Sequence, residues 1–324
     1  MSGPPAYSAP WWLPGGHAQT IAASTLALRP RVRFRRERWD TPDGDFIDLD
    51  WRDGDAGAPL VALFHGLEGD SRSHYARAIM AALGRRGWRG VVVHFRGCSG
   101  EPNRLARAYH SGDSAEIDWI LRRLRSQHST TPLFAVGISL GGNALLKWLG
   151  ERAEAGLPVV DAAAAISAPL DLMAAGAVLD RGFNRAVYVR HFLRTLKAKS
   201  LAKLERFPGL YDAGAVRAAV TLREFDDCVT APLHGFKDTD DYWTRASSKP
   251  VLRHIRVPTL VINARNDPFL PPRALPHAHE VSERVVLDQP AAGGHVGFVD
   301  GAFPGNLAWL PARVLHFFDA HLGE

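Results

Sequence analysis

The residues with the strongest chemical content are Gly137-Ile138-Ser139-Leu140-Gly141. A serine between two glycines, reached by an apolar run and left through a helical pattern, has the spacing of a nucleophile elbow. Such a turn is tight enough to hold the serine in strained dihedrals, so Gly137 and Gly141 are needed to avoid backbone clashes. Ser139 then projects at a helix N-terminus, where unpaired N–H groups favour developing negative charge. A serine hydroxyl is a weak nucleophile at neutral pH and needs a positioned base. The chain holds 14 histidines. His295 is the choice among them, because it stands in Gly293-Gly294-His295-Val296-Gly297-Phe298, a glycine-rich loop between the last expected strand and the terminal helix. His316 and His321 fall in that helix pattern and read as surface residues.

The base needs an orienting carboxylate. Asp267 follows an expected strand in Asn263-Ala264-Arg265-Asn266-Asp267-Pro268, and the order Ser139, Asp267, His295 is the hydrolase order of triad members. Asp288, close to His295 after the next strand, and Asp300, just beyond it, are the rivals. An oxyanion hole needs two N–H donors. Leu140 supplies one and Leu67, in His65-Gly66-Leu67-Glu68-Gly69, is the expected second. There His65 braces the turn and Gly66 admits the substrate carbonyl. His234-Gly235 has no strand before it and is the poorer alternative.

The elements that must position these groups are legible as short apolar runs alternating with helical patterns. Strands are expected at 60–64, 90–95, 134–137, 162–167, 259–263 and 284–287, with helices at 75–86, 115–126 (capped by Ser111 or Asp113), 143–155 and 307–321. Near-continuous apolar strands between helices predict a mostly parallel sheet covered on both faces. The segments 31–39 and 46–51 alternate, which predicts half-exposed antiparallel strands at one edge, with Arg31, Arg33 and Arg35 on a solvated face. The expected class is α/β: core residues 1–168 and 250–324, interrupted by a helical cap at 169–249, which is too long for a plain loop.

The 324 residues are 46% hydrophobic and 23% charged, which excludes wholesale disorder and fibrous structure. The net charge of +5 is modest for this length and does not call for nucleic acid. Two distant cysteines, Cys98 and Cys228, give no disulfide framework and suit a reduced, cytoplasmic setting. The opening MSGPPAYSAPWWLPGG is no signal peptide, and no apolar run is long enough to span a membrane. His277-Ala278-His279 lacks the partners of a metal site and reads as a surface loop. No metal or organic cofactor is expected, and no signal for an oligomeric state is present.

The motifs above occur together with Ser73-His74-Tyr75, Phe95-Arg96-Gly97-Cys98-Ser99-Gly100, Tyr109-His110-Ser111-Gly112 and Gly142-Asn143. Trp11-Trp12-Leu13-Pro14, His17-Ala18-Gln19-Thr20, Phe225-Asp226-Asp227 and Thr230-Ala231-Pro232-Leu233-His234-Gly235 complete the set. In combination they resemble the YheT-like branch of the α/β hydrolases over nearly the whole chain. The branch includes bacterial hydrolases and eukaryotic esterases, phospholipases and ester-forming acyltransferases. The resemblance implies carboxylic-ester chemistry and carries a triad onto Ser139, Asp267 and His295. No N-terminal membrane anchor like that of the eukaryotic members is seen, which weakens the carry-over of a membrane phospholipid substrate.

The expectation is therefore a serine hydrolase of short- to medium-chain carboxylic esters acting through an acyl-enzyme, with a small-molecule ester as its partner. The alternatives are an acyltransferase, a phospholipid hydrolase, or a silent binding protein on the same scaffold. Trp11, Trp12, His17 and Gln19 are read either as acyl-pocket lining or as an arm packed on the body. Arg96 and Cys98 are read as turn stabilisers. The stretch 181–206 intersperses Arg181, Arg185, Arg190, Arg194, Lys197, Lys199, Lys203 and Arg206 with apolar residues such as Phe183, Val187, Phe192 and Leu196. It could touch an anionic membrane peripherally. The preferred reading is a cap helix with an apolar face over the pocket and charges facing water.

Overall fold

The structure, a computed structural model, describes residues 6–152 and 158–322. The first five residues of the opening segment, and Ala155 at the expected end of one helix, lie outside the described residues. Eight strands form one sheet: β1 (Arg35–Asp40), β2 (Phe46–Arg52), β3 (Leu60–Phe64), β4 (Arg89–Val93), β5 (Leu133–Ile138), β6 (Ala162–Ile166), β7 (Thr259–Ile262) and β8 (Val285–Asp288). Their order is β1-β2-β4-β3-β5-β6-β7-β8. β1 and β2 are antiparallel, and every pair from β4 to β8 is parallel. The expected α/β architecture is the observed one.

The period-two geometry of strands explains how the apolar runs are used. Val61 and Leu63 of β3 join one buried cluster, with Ile79 and Leu83 of α2 (His74–Arg85). Leu60, Ala62 and Phe64 point the other way, to Ile117, Ile120 and Leu124 of α3 (Ser114–Gln127) and Leu145 and Leu149 of α4 (Leu140–Glu151). The inner strands β3, β5 and β6 are buried on both faces, so they are apolar at every position.

Three local expectations are corrected. The first antiparallel strand begins at Arg35 rather than 31, because Val32 and Phe34 pack on the core beside the sheet instead of pairing within it. β2 is not half-exposed. Its polar alternates Asp48 and Asp50 are buried and accept paired bonds from Arg38 and Arg36 of β1 at 2.8–2.9 Å, because β2 lies inside the sheet and β1 takes the edge. Neither Ser111 nor Asp113 caps α3 with its side chain. The Asp113 carboxylate is taken by Arg107 at 2.6 Å and 2.8 Å.

Between β6 and β7 the described residues contain no strand. They fold as α5 (Leu172–Leu179), a π turn (Arg185–Val189) running into α6 (Arg190–Arg206), several short helices, and α7 (Thr239–Ala246). A cluster including Leu179, Val189, Leu193, Val216 and Phe225 holds these helices together, and it includes Phe269 of the loop after β7. The cap therefore sits over the carboxyl ends of the parallel strands. α8 (Trp309–Asp319) closes the chain against the same face as α2. No helix among the described residues is long and apolar enough to cross a membrane.

Candidate active site

β3 and β5 are parallel neighbours with Phe64 opposite Gly137, so the turn after β3 and the elbow after β5 meet at one edge of the sheet. The sheet order also reverses here: α2 carries the chain from β3 to β4 on one side, and α3 returns it to β5 on the other. Such a switch point leaves a crevice at the strands' carboxyl ends. Ser139 sits there with φ +51° and ψ −118°, and its N–H donates to Ile166 O at 2.8 Å. A Cβ on Gly137 would lie 2.5 Å from Gly141 O, and one on Gly141 would lie 2.5 Å from Phe64 O. Close backbone approach, rather than flexibility, is why both positions are glycine. A Cβ on Gly66 would stand 3.1 Å from Ser139 Cβ.

The structure brings Ser139, His295 and Asp267 together. Ser139 Oγ is 2.9 Å from His295 Nε2, and His295 Nδ1 is 3.0 Å from Asp267 Oδ2. A carboxylate only accepts, so Nδ1 carries the imidazole proton and Nε2 is left to accept from the hydroxyl. The buried Asp267 is itself fixed by the Phe269 N–H, which donates to Oδ1 at 2.8 Å. Asp288 is instead bonded to Arg313 at 2.7 Å, and Asp300 sits in a backbone bridge with Asn306. Leu140 is the first residue of α4, so its N–H has no carbonyl four residues back. Gly66–Gly69 close a turn through the Gly69 N–H and Gly66 O, with Glu68 at φ +56°, and the Leu67 N–H makes no hydrogen bond among the described residues. His65 is fully buried and burial pushes its pKa down to about 3. Neutral, it accepts the Phe95 N–H at Nε2 and donates from Nδ1 to Gly66 O at 2.7 Å, bracing the turn.

Several supporting residues escape a reading of the sequence. Gln19 and Thr20 of α1 (Gly16–Thr25) hold the base loop: Gln19 Oε1 accepts from Gly293 N–H at 2.8 Å and from Asn266 Nδ2 at 3.0 Å, and Thr20 Oγ1 accepts from His295 N–H at 2.8 Å. Ser167 Oγ accepts from Val296 N–H, and His74 Nε2 donates to Val296 O. Trp11 is 92% exposed, Trp12 packs edge-on against Phe303, and His17 stacks on Tyr188. None of these N-terminal residues lines the cavity. The segment is an arm packed on the body, and within it Gln19 is a buttress, not pocket lining. Arg96 is buried and bonded to Glu116, Asp43 and Asp45, which ties the turn after β4 to α3 and to the turn before β2. His277 and His279 are exposed on a short 3-10 turn.

Phe269 has the largest unforeseen role. Its ring stacks on the His295 imidazole at 4.0 Å between centroids and 22° between planes, and Tyr188 of the cap packs edge-on behind it at 4.7 Å. Aromatic pairs of this kind contribute about 0.5–1.5 kcal/mol beyond burial. Phe269→Ala is expected to lower kcat about tenfold while Phe269→Tyr holds it, because only the first frees the imidazole to leave its line with Ser139. Steady-state kinetics on both variants checks this, and an unchanged kcat in Phe269→Ala would show that the stack does not hold the ring.

Ser139 and His295 open onto a cavity of about 750 Å³ whose wall includes Leu172, Leu179, Phe192, Leu196, Phe225 and Trp243. The basic stretch of the cap is only partly as expected. Arg185, Arg190 and Arg194 face water, whereas the head groups of Lys199, Lys203 and Arg206 bond to groups of the core, although Lys199 and Arg206 remain exposed. Lys203 Nζ donates to Asn103 Oδ1 and to the carbonyls of Leu105, Ala106 and Arg107 at 2.9–3.1 Å. Arg206 donates to the carbonyls of Asn103 and Arg104. Spacings of four and three residues put these cations on one helix face, where the Glu68 carboxylate and the carbonyls of 103–107 meet them. Phe183 and Val187, read as part of the apolar face, are 50% and 38% exposed.

A family model described as the alpha/beta hydrolase fold matches residues 59–302. YheT of Escherichia coli is 41% identical over 311 residues, covering 94% of this chain and 91% of that protein. Phospholipase ABHD3 of Homo sapiens is 30% identical over 319 residues, covering 95% of this chain and 77% of that one. Among solved structures, the esterase Pf2001 of Pyrococcus furiosus aligns over 100% of this chain and 99% of its own with a TM-score of 0.58 at 17% identity, a likeness of fold. With its mostly parallel eight-stranded sheet and a serine on the elbow after β5, the chain belongs to the α/β-hydrolase family, in the branch that contains YheT.

Proposed function

We propose that the protein hydrolyses carboxylic esters of short- to medium-chain acids through an acyl-enzyme on Ser139. The observation that carries this reading is the continuous line Ser139 Oγ–His295 Nε2 and His295 Nδ1–Asp267 Oδ2, at 2.9 Å and 3.0 Å. Ser139 Oγ attacks the ester carbonyl as its proton passes to His295 Nε2. The imidazolium is held by Asp267, and the Leu67 and Leu140 N–H groups receive the oxyanion. Collapse of the tetrahedral intermediate expels the alcohol, which takes the proton from His295. Water then donates a proton to His295 as it attacks the acyl-enzyme, and the acid leaves as Ser139 Oγ takes that proton back. The cap, residues 169–249, closes the site, and its apolar wall accepts the acyl chain. A cavity of about 750 Å³ is within the usual range for a small-molecule ligand.

A panel of nitrophenyl esters of graded acyl length tests the reading. Turnover should favour apolar acyl groups over charged ones, and no turnover of any member would count against it. A second outcome at deacylation is favoured by one relative, the Saccharomyces cerevisiae protein named medium-chain fatty acid ethyl ester synthase/esterase 2, which is 29% identical over 317 residues. An alcohol that enters in place of water would make the same residues an acyltransferase. Product analysis with added ethanol separates the two: an esterase yields mainly the free acid, whereas a transferase yields the ethyl ester at matching rates.

A further inference from the structure

Lys199 stands out among the residues that the hydrolytic scheme leaves without a role. It lies on α6, and its Nζ reaches both carboxylate oxygens of Glu68, at 2.9 Å and 2.8 Å. Glu68 is the residue after Leu67, in the turn that faces Ser139. Its side chain is only 9% exposed, and it lines the active-site cavity with Leu67, Tyr109 and Lys199. A carboxylate in that position is costly twice over. It is withdrawn from water, and its negative charge stands beside the place where the substrate carbonyl becomes an oxyanion.

The surroundings show how that charge is managed. Tyr109 OH donates to Glu68 Oε1 at 2.9 Å and accepts the Glu68 N–H at 2.9 Å, which locks the side chain back onto its own turn. Tyr75 OH accepts the Gly66 N–H at 3.0 Å from the other side of the turn. These contacts hold Glu68 at φ +56°, a conformation a non-glycine residue rarely adopts. They do not neutralise it. Cys98 Sγ is 3.7 Å from Lys199 Nζ, but burial pushes its thiol up to about 12, so it stays uncharged at neutral pH. Among the described residues Lys199 is thus the cation paired with this carboxylate, and it comes from the cap rather than the core.

We propose that Lys199 is a positioning residue for the oxyanion turn: by neutralising Glu68 from the cap, it lets the Leu67 N–H act in an unopposed field. The inference rests on the ester-hydrolase reading and adds to it a dependence of transition-state stabilisation on the seating of the cap. Loss of an exposed surface ion pair is worth little. Here, however, the partner left behind is a buried carboxylate beside the reacting carbonyl.

The test is a charge-neutralisation double-mutant cycle on the full chain. Lys199→Met is expected to lower kcat for a nitrophenyl ester on the order of 10- to 100-fold with KM within about twofold, a smaller loss than removal of an oxyanion donor itself. Inhibition by a trifluoromethyl ketone, which binds as a tetrahedral oxyanion, should weaken by the same factor, because both report the same developing charge. Lys199→Arg should keep activity. The combination Lys199→Met with Glu68→Gln should recover most of the lost kcat, since it removes the uncompensated charge. Arg194→Met, on the same helix but facing water, serves as control, and Lys199→Gln stands in if Lys199→Met does not fold. A double variant as impaired as Lys199→Met alone would assign Lys199 a packing role and overturn the proposal. So would wild-type kinetics in Lys199→Met while Ser139→Ala is inactive. Activity in Ser139→Ala would instead remove the hydrolase reading beneath it.

Discussion

Ser139→Ala is expected to abolish ester turnover and leave the fold intact. The substitution removes one oxygen from a side chain whose backbone is already set at φ +51°, and alanine has the same Cβ in the same turn. The gap left at Oγ is small, and His295 Nε2, which loses this partner, lines the open cavity with it, so the fold does not depend on the contact. Loss of the nucleophile in a serine protease costs on the order of 10⁶ in kcat, and a drop to the assay background is the expected reading here. A fluorophosphonate should label the wild-type protein once, with mass spectrometry placing the adduct on Ser139, and should fail to label the variant. A folded Ser139→Ala protein that turns over ester at the wild-type rate would refute the proposed mechanism outright.

Asp267→Asn should have the next largest effect, on the order of 10⁴ in kcat, by analogy with the serine-protease aspartate. The physical reason is the tautomer. An amide offers His295 Nδ1 an N–H where the carboxylate offers only lone pairs, so the imidazole proton moves to Nε2, which can then no longer accept the Ser139 hydroxyl proton. The variant keeps an acceptor oxygen for the Phe269 N–H, which now donates to Asp267 Oδ1, so its thermal stability should change little. Fluorophosphonate labelling should slow in step with turnover. Near wild-type turnover in Asp267→Asn, with Asp288→Asn or Asp300→Asn inactive, would move the orienting role to one of those carboxylates. The structure makes this an informative comparison, since Asp288 is bonded to Arg313 rather than to His295.

Much of the fold was legible because it is written locally. A strand buried on both faces must be apolar at each position, and 60–64 and 134–137 read that way without any knowledge of their neighbours. The elbow was legible for the same reason. Gly137 and Gly141 bound a turn five residues long, so the constraint and the residues that answer it lie together in the chain. β2 was misread because alternation marks only where polar side chains fall, not whether a partner covers them. Arg36 and Arg38 of the neighbouring strand allow Asp48 and Asp50 to be buried as ion pairs.

The chain by itself determined the alternation of strands and helices, the helical stretch between β6 and β7, and the glycines of the turn around Ser139, since each depends on periodicity or on a turn a few residues long. Tertiary structure alone decided what holds those residues. Gln19 reaches Gly293 across 274 positions of chain, Phe269 meets His295 only because the loops after β7 and β8 lie side by side, and Lys199 meets Glu68 across 131. These pairs carry no periodic signal. They are set by the order of strands in the sheet and by the seating of the cap on it, which place distant segments within hydrogen-bonding reach once the apolar faces are buried.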